Sequence, residues 1–294
     1  NHQPSTPSLE NYLQQARDAG CSDDQMLRFQ RAGLLLLPRQ LAASAAARLC
    51  DQPDGPTAIG YGGARGGGKS FWLLAQMGAD DCQRVPGLKC LLLRKVGKSN
   101  LENFEDLRRR LFTRLPHDFS VTRRLLTFAN GSRIIAGHYQ CEKDIDAYLG
   151  LEYDVIGIEE ATTLTSRKYH DIITCCRSSK LLPPSPTPIL HPPPSILSPI
   201  PAPPSDPYSL SPIAYSPSPI APSWRPRVYS ATNPGGIGHS WYRTRYIVPF
   251  QQRQETDTRF IPATLTDNTF LNAEYRQTLD RLAGWQKRAW RDGD

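Results

Sequence analysis

Residues 60–70 read Gly60-Tyr61-Gly62-Gly63-Ala64-Arg65-Gly66-Gly67-Gly68-Lys69-Ser70, and their interpretation decides the fold. Six glycines in eleven residues describe either a slack linker or a loop shaped to hold something. The flanks decide for the loop. Thr57-Ala58-Ile59 before it suits a buried strand, and FWLLAQMGAD after it places Phe71, Leu74 and Met77 on one helical face. Gly63-Ala64-Arg65-Gly66-Gly67-Gly68-Lys69-Ser70 fits the spacing G-x-x-x-x-G-K-[ST]. Glycines let successive N–H groups turn inward around phosphate oxygens, and the following helix offers its positive end. Lys69 would then reach the β- and γ-phosphates of ATP, and the Ser70 hydroxyl would ligate Mg²⁺. All eight residues, Gly63, Ala64, Arg65, Gly66, Gly67, Gly68, Lys69 and Ser70, are expected to bind the nucleotide.

A loop of this kind works with a strand that ends in a carboxylate and orders the metal. Tyr153-Asp154-Val155-Ile156-Gly157-Ile158-Glu159-Glu160-Ala161 supplies one, about ninety residues on. Adjacent strand positions point in different directions. Glu159 is therefore expected to address Mg²⁺ through water, and Glu160 to polarise the attacking water as a general base.

Working outward, apolar strand candidates lie at 57–61, 88–93, 154–158, 227–231 and 258–262, alternating with helical patterns. Continuous apolar runs suit strands buried on both faces, hence a mostly parallel sheet between helical layers. The expected fold class is α/β, a P-loop NTPase of the RecA-like (ASCE) three-layer type. LLTFANGSRIIAG reads as a hairpin turning at Asn130-Gly131, and 99–115 as an amphipathic helix capped by Ser99 or Asn100. Residues 1–33 form an expected helical and flexible N-terminal segment, its first eight residues disordered, and 34–294 the ATPase domain. Residues 181–223 break the rhythm, with 16 of the 27 prolines and one formal charge, Asp206. Such composition predicts an extended, disordered insertion.

Lys and Arg outnumber Asp and Glu by 35 to 28, a mild excess that favours polyanionic partners. Seven irregularly spaced cysteines without a CxxC pair predict reduced thiols and a cytoplasmic protein. No stretch reaches the roughly 20 apolar residues of a membrane span.

Taken together, GGARGGGKS, FANGSRIIAG, GLEYDVIGIEEATTLT and SATNPGGIGHSWYRTRYI resemble the large terminase subunit of tailed double-stranded DNA phages. The match runs from about Leu34 to the C-terminus without the proline-rich insert. Helicases and transporters share the first and third elements but lack the NPGG-x-GH-x-W segment. The resemblance implies an ATP-driven motor that moves double-stranded DNA into a procapsid, with the portal protein and small terminase subunit as partners, in a homo-oligomeric ring at the portal in the host cytoplasm. It makes Lys69, Arg65 and Glu160 the catalytic residues, with Arg65 at the γ-phosphate. It makes Gln40, in LPRQ, the reader of the adenine edge, and Thr232-Asn233 the coupling pair. Independently, a polar Thr-Asn closing the apolar run RVYSA is what a sensor at a strand's carboxyl end needs. On the residues alone, Gln40 reads equally well as a plain helix residue, Arg65 as a solvated side chain and Thr232-Asn233 as turn formers.

Relatives carry a nuclease domain beyond a segment like the RAWRDGD that closes these 294 residues, so DNA cleavage is not expected of them. Sequence-independent phosphate contacts are expected from Arg108-Arg109-Arg110, Arg114, Arg123-Arg124, Arg243, Arg245, Arg281, Lys287, Arg288 and Arg291. Two other readings share the motifs: a helicase or DNA-repair ATPase, whose strand-separating motifs are not found, and a non-hydrolysing ATP-binding protein or scaffold.

Overall fold

The computed structural model describes residues 9–182 and 224–293. The expectations for the first eight residues and for nearly all of the proline-rich insertion lie outside the described residues. Eight strands form one sheet: β1 (Ala58–Gly63), β2 (Lys89–Arg94), β3 (His117–Ser120), β4 (Leu125–Phe128), β5 (Arg133–His138), β6 (Val155–Glu159), β7 (Arg227–Thr232) and β8 (Thr258–Ala263). Their order is β3-β4-β5-β2-β6-β7-β1-β8. The run from β5 to β8 is parallel, and β3 and β4 are antiparallel additions at one edge.

The continuous apolar runs are explained by burial on both faces. In β2, Cys90 and Leu92 pack into one core while Leu91 and Leu93 pack into the other. The first core is roofed by Trp72, Leu73 and Met77 from the helix α4 (Lys69–Ala75) and its π-helical continuation Gln76–Asp81, and by Phe104 from the helix Gly97–Leu111. The second is covered by Tyr169 and Ile172 of the helix Ser166–Ile173 and by Tyr242 and Tyr246. This is the expected three-layer arrangement. Helices α1 (Leu9–Asp18), α2 (Asp23–Ala32) and α3 (Pro38–Leu49) also bury Ala16, Met26, Phe29 and Leu41 in the first core.

Two sequence expectations need adjusting. The helix expected at 99–115 is Gly97–Leu111, with Val96 at its N-cap, so Ser99 and Asn100 lie in its first turn and do not cap it. Strand β3 was not foreseen. HDFS carries a single large apolar residue, and it is a strand because β4 offers it an unpaired edge. The hairpin itself turns where expected, with Gly131 left-handed at φ 81° and the Asn130 side chain accepting from Ser132 N at 3.0 Å.

At the amino ends of the strands, away from the glycine-rich loop, a buried ionic cluster ties the N-terminal helices to the sheet. Asp80, fully buried, accepts from Arg48 Nη2 at 2.5 Å and Nε at 2.8 Å, and from Gln76 at 2.8 Å. Arg227, also fully buried, donates to Asp51 at 2.7 Å and to Ala47 O at 3.1 Å, and stacks 3.7 Å from the Trp224 ring. The Arg48 guanidinium holds the Asp80 carboxyl down, whereas burial pushes its neighbour Asp81 up. Removing one member of such a pair leaves the other buried and uncompensated. Arg48→Met is therefore expected to cost roughly 3–5 kcal/mol in urea unfolding, and adding Asp80→Asn to recover most of it. A single variant within about 1 kcal/mol of the parent would contradict the assignment.

Candidate active site

Parallel pairing brings the carboxyl ends of β1, β2, β6 and β7 to one edge of the sheet. Gly62 is level with Thr232, Ala231 with Glu159, and Ile158 with Leu93. A cleft of about 740 Å³ opens there, bounded by the glycine-rich loop, Glu159, Glu160, Thr232 and Asn233. Binding crevices of open parallel sheets lie at this edge. Residues some 170 positions apart in sequence thus line one cleft.

The loop leaves β1 at Gly63 (φ 127°) and enters α4 at Gly68 (φ 75°), both in backbone regions that a Cβ resists. Lys69 is nearly buried. Its ammonium donates to Gly63 O at 3.2 Å and to Ala64 O, so the loop's own carbonyls hold it. Burial, assisted by the nearby charge of Arg65, lowers its pKa to about 7. Gln40 is buried against the loop: Nε2 donates to Gly68 O at 2.9 Å and Oε1 accepts from Leu37 N at 2.8 Å. It both caps α3 and braces the loop, and its amide keeps one further N–H and one further lone pair. Arg65 lies at the cleft, its guanidinium 3.6 Å from the Trp290 ring and its N–H donating to Trp290 O at 2.7 Å.

The two acids differ because Glu159 closes β6 and Glu160 follows it with a left-handed backbone. Glu159 is buried and accepts from Arg94 Nη1 at 3.0 Å and from Asn103 Nδ2 at 3.5 Å. Burial raises its carboxyl above the usual range, against the pull of Arg94 and Ser70. Glu160 is 42% exposed, reached by Arg94 Nη2 at 3.3 Å, and its backbone is left-handed at φ 53° and ψ 45°. A non-glycine residue there is held by its surroundings: Thr163 donates to Glu160 O through both N–H (2.8 Å) and hydroxyl (2.7 Å). The kink turns Glu160 out of the strand into the cleft.

Thr232 is buried, its hydroxyl 2.8 Å from that of Thr162, which also donates to Asn233 O at 3.2 Å. The turn after the acids is therefore bonded to the end of β7. The buried Asn233 Oδ1 has no partner among the described residues. Arg94, which bridges both acids, was missed in the sequence. Its signal was available, since LLLR closes an apolar strand with a charge just as VIGIEE does. The basic residues expected to meet DNA are dispersed. Arg109 pairs with Glu105, Arg245 with Asp257, and Arg291 with Asp280 and Asp292.

Ser70 and Glu159 present hard oxygen donors to the same cleft, a donor set that fits Mg²⁺ shared with phosphates and water.

The depressed lysine has a stability consequence. Lys69 binds its proton more readily when the chain is unfolded, with an ordinary value of 10.5 against about 7 when folded. It therefore subtracts stability below pH 7, and this cost fades as pH rises toward 10. Lys69→Met is expected to stabilise the ligand-free chain by roughly 1–3 kcal/mol at pH 6.5, with the gain vanishing near pH 10. A urea midpoint that falls at pH 6.5 would contradict this account.

No protein-family model and no curated protein sequence matches the chain. Solved structures do. The large terminase of a thermophilic bacteriophage, in complex with ADP, is similar with a TM-score of 0.59 and 13% identity, over 88% of this chain and 53% of that one. The same terminase in complex with ATP-gamma-S gives 0.58 and 12%, over 88% and 52%. A further structure of it gives 0.57 and 13%, over 87% and 52%. The chain spans about half the length of the terminase structures it matches. The resemblance read from its motifs is thus met in three dimensions, and the chain has the fold of phage large terminases over the part that it covers.

Proposed function

We propose that this chain is the ATP-hydrolysing motor region of a phage terminase large subunit, which drives double-stranded DNA into a procapsid. The observation that carries the proposal is that Lys69 and Ser70 of the glycine-rich loop line one cleft with the buried Glu159 and the half-buried, backbone-kinked Glu160. ATP lies with its phosphates on the loop 63–70. Lys69 leaves the Gly63 and Ala64 carbonyls for the phosphate oxygens, which restores its charge. Arg65, released from Trp290, adds a second positive group at the γ-phosphate. Mg²⁺, held from Ser70 and Glu159, supplies charge neutralisation when bound. Glu160 accepts the proton of the attacking water, which requires Arg94 to withdraw from it. Loss of the γ-phosphate is felt by Thr232 and Asn233, and through Thr162 by the turn that carries Glu160. DNA is held by phosphate contacts without base readout. The portal protein, the small terminase subunit and further copies of the chain complete the machine at the portal, in the host cytoplasm.

A second reading is a nucleotide-binding chain that does not hydrolyse. The Arg94–Glu160 ion pair favours it, because a paired carboxylate is a weaker base. Phosphate release with and without duplex DNA separates the two. Under the motor reading DNA raises turnover, and Lys69→Ala and Glu160→Gln each lower it by about 100-fold or more. Nucleotide binding without turnover in the parent chain, lost in Lys69→Ala, would select the second.

A further inference from the structure

Strand β8 ends the sheet on the side of β1, and among the described residues no strand pairs with its outer side. An open edge of this kind offers a row of N–H and C=O groups to any other extended chain. The hydrogen bonds to β1 show which groups those are. Asp257 O accepts from Ala58 N at 3.2 Å and Ala263 O from Ala64 N at 2.9 Å, so the odd-numbered residues face β1. Successive residues of a strand turn their backbone groups to opposite sides. The outer side of β8 therefore belongs to Thr258, Phe260 and Pro262.

Each of these three lacks a group that a ladder needs. Thr258 O accepts from Arg259 Nη1 at 2.9 Å, and the same nitrogen donates to Glu255 O at 2.9 Å. Phe260 N donates to Glu255 Oε1 at 2.7 Å. Pro262 has no N–H at all. Glu255 and Arg259 are brought to this edge because Arg253, left-handed at φ 56°, ends the helix Val248–Gln252 and turns the chain. Both side chains line a shallow hollow there with Phe250 and Gln251, which puts charge where an incoming strand would lie. The opposite edge is blunted by other means, since β3 has only four residues and Asp118 among them is exposed. A bond from Glu255 that only closed the turn before β8 would explain neither the arginine drawn over Thr258 O nor the proline that follows on the same side.

We infer that Glu255, Arg259 and Pro262 together shut the β8 edge to strand addition, so that a second copy of this chain cannot extend the sheet there and any contact between copies uses another face. The inference stands apart from the nucleotide reading.

The test opens the edge with Glu255→Ala and Pro262→Val in the full chain and measures self-association by sedimentation equilibrium against the parent. The opened chain is expected to associate roughly tenfold more tightly, the effect of about two added backbone hydrogen bonds. Hydrogen exchange at the amides of residues 260 and 262 is expected to slow as its concentration rises. Glu255→Gln in place of Glu255→Ala keeps an acceptor for Phe260 N and is expected to reverse much of the gain. The inference is overturned if the opened chain, with the parent's circular dichroism, associates no more tightly than the parent. A lowered urea midpoint without association also overturns it, since Glu255 would then only close a turn. Association without slowed exchange at 260 and 262 overturns it as well, because another face would then be responsible. If the double variant does not fold, Pro262→Val alone decides: it adds one outward N–H, and association is expected to tighten by about threefold, whereas an unchanged value sinks the inference.

Discussion

Everything in the cleft hangs on the parallel hydrogen-bonded pairing of β1, β7 and β6. Parallel strands must all discharge their side chains and loops at the same edge, so three segments distant in sequence open onto one space. The register is tight enough to bring Glu159 level with Ala231, and Gly62 level with Thr232. A one-residue slip in β6 would turn Glu159 to the opposite face and bury a different side chain against the loop. The apolar faces packed on both sides resist that slip, because every strand residue on either face already has a core to fill.

Within this frame the charged groups of the cleft are paired with one another and with the loop. Carbonyls of the loop accept from Lys69, Arg94 neutralises both carboxylates, and an indole occupies the face of Arg65. The carbonyls at Lys69 and the indole at Arg65 are weaker partners than the charge-assisted contact that an anion would supply. On the nucleotide reading proposed above, a triphosphate would compete for groups that are already paired, and its arrival would rearrange the site. The Thr162–Thr232 hydroxyl contact joins the turn after the two acids to the end of β7.

The ionic cluster at the other end of the strands has a different character. Asp80 and Arg227 are sealed from water and satisfied by several donors and acceptors each, so they hold α3, the extension of α4 and β7 in one geometry. None of this was legible in the sequence, where Asp80-Asp81 and Arg227 look like ordinary surface charges. Only tertiary burial turns them into structural anchors.

What the sequence by itself determined was whatever depends on local chemistry. Glycines between a strand and a helix, an apolar strand closing in two acids, and Asn-Gly between apolar runs each specify a backbone shape or a charge at a strand end, because they act over a few residues. Strand β3 escaped, since its reason for being a strand is the edge that β4 presents. Arg94 and Trp290 escaped for the same kind of reason. An arginine or a tryptophan reads alike in any segment, and their partners, Glu159 for Arg94 and Arg65 for Trp290, are set by how helices and strands pack. Partnership across the sheet is a property of distance in space, and only the tertiary structure decided it.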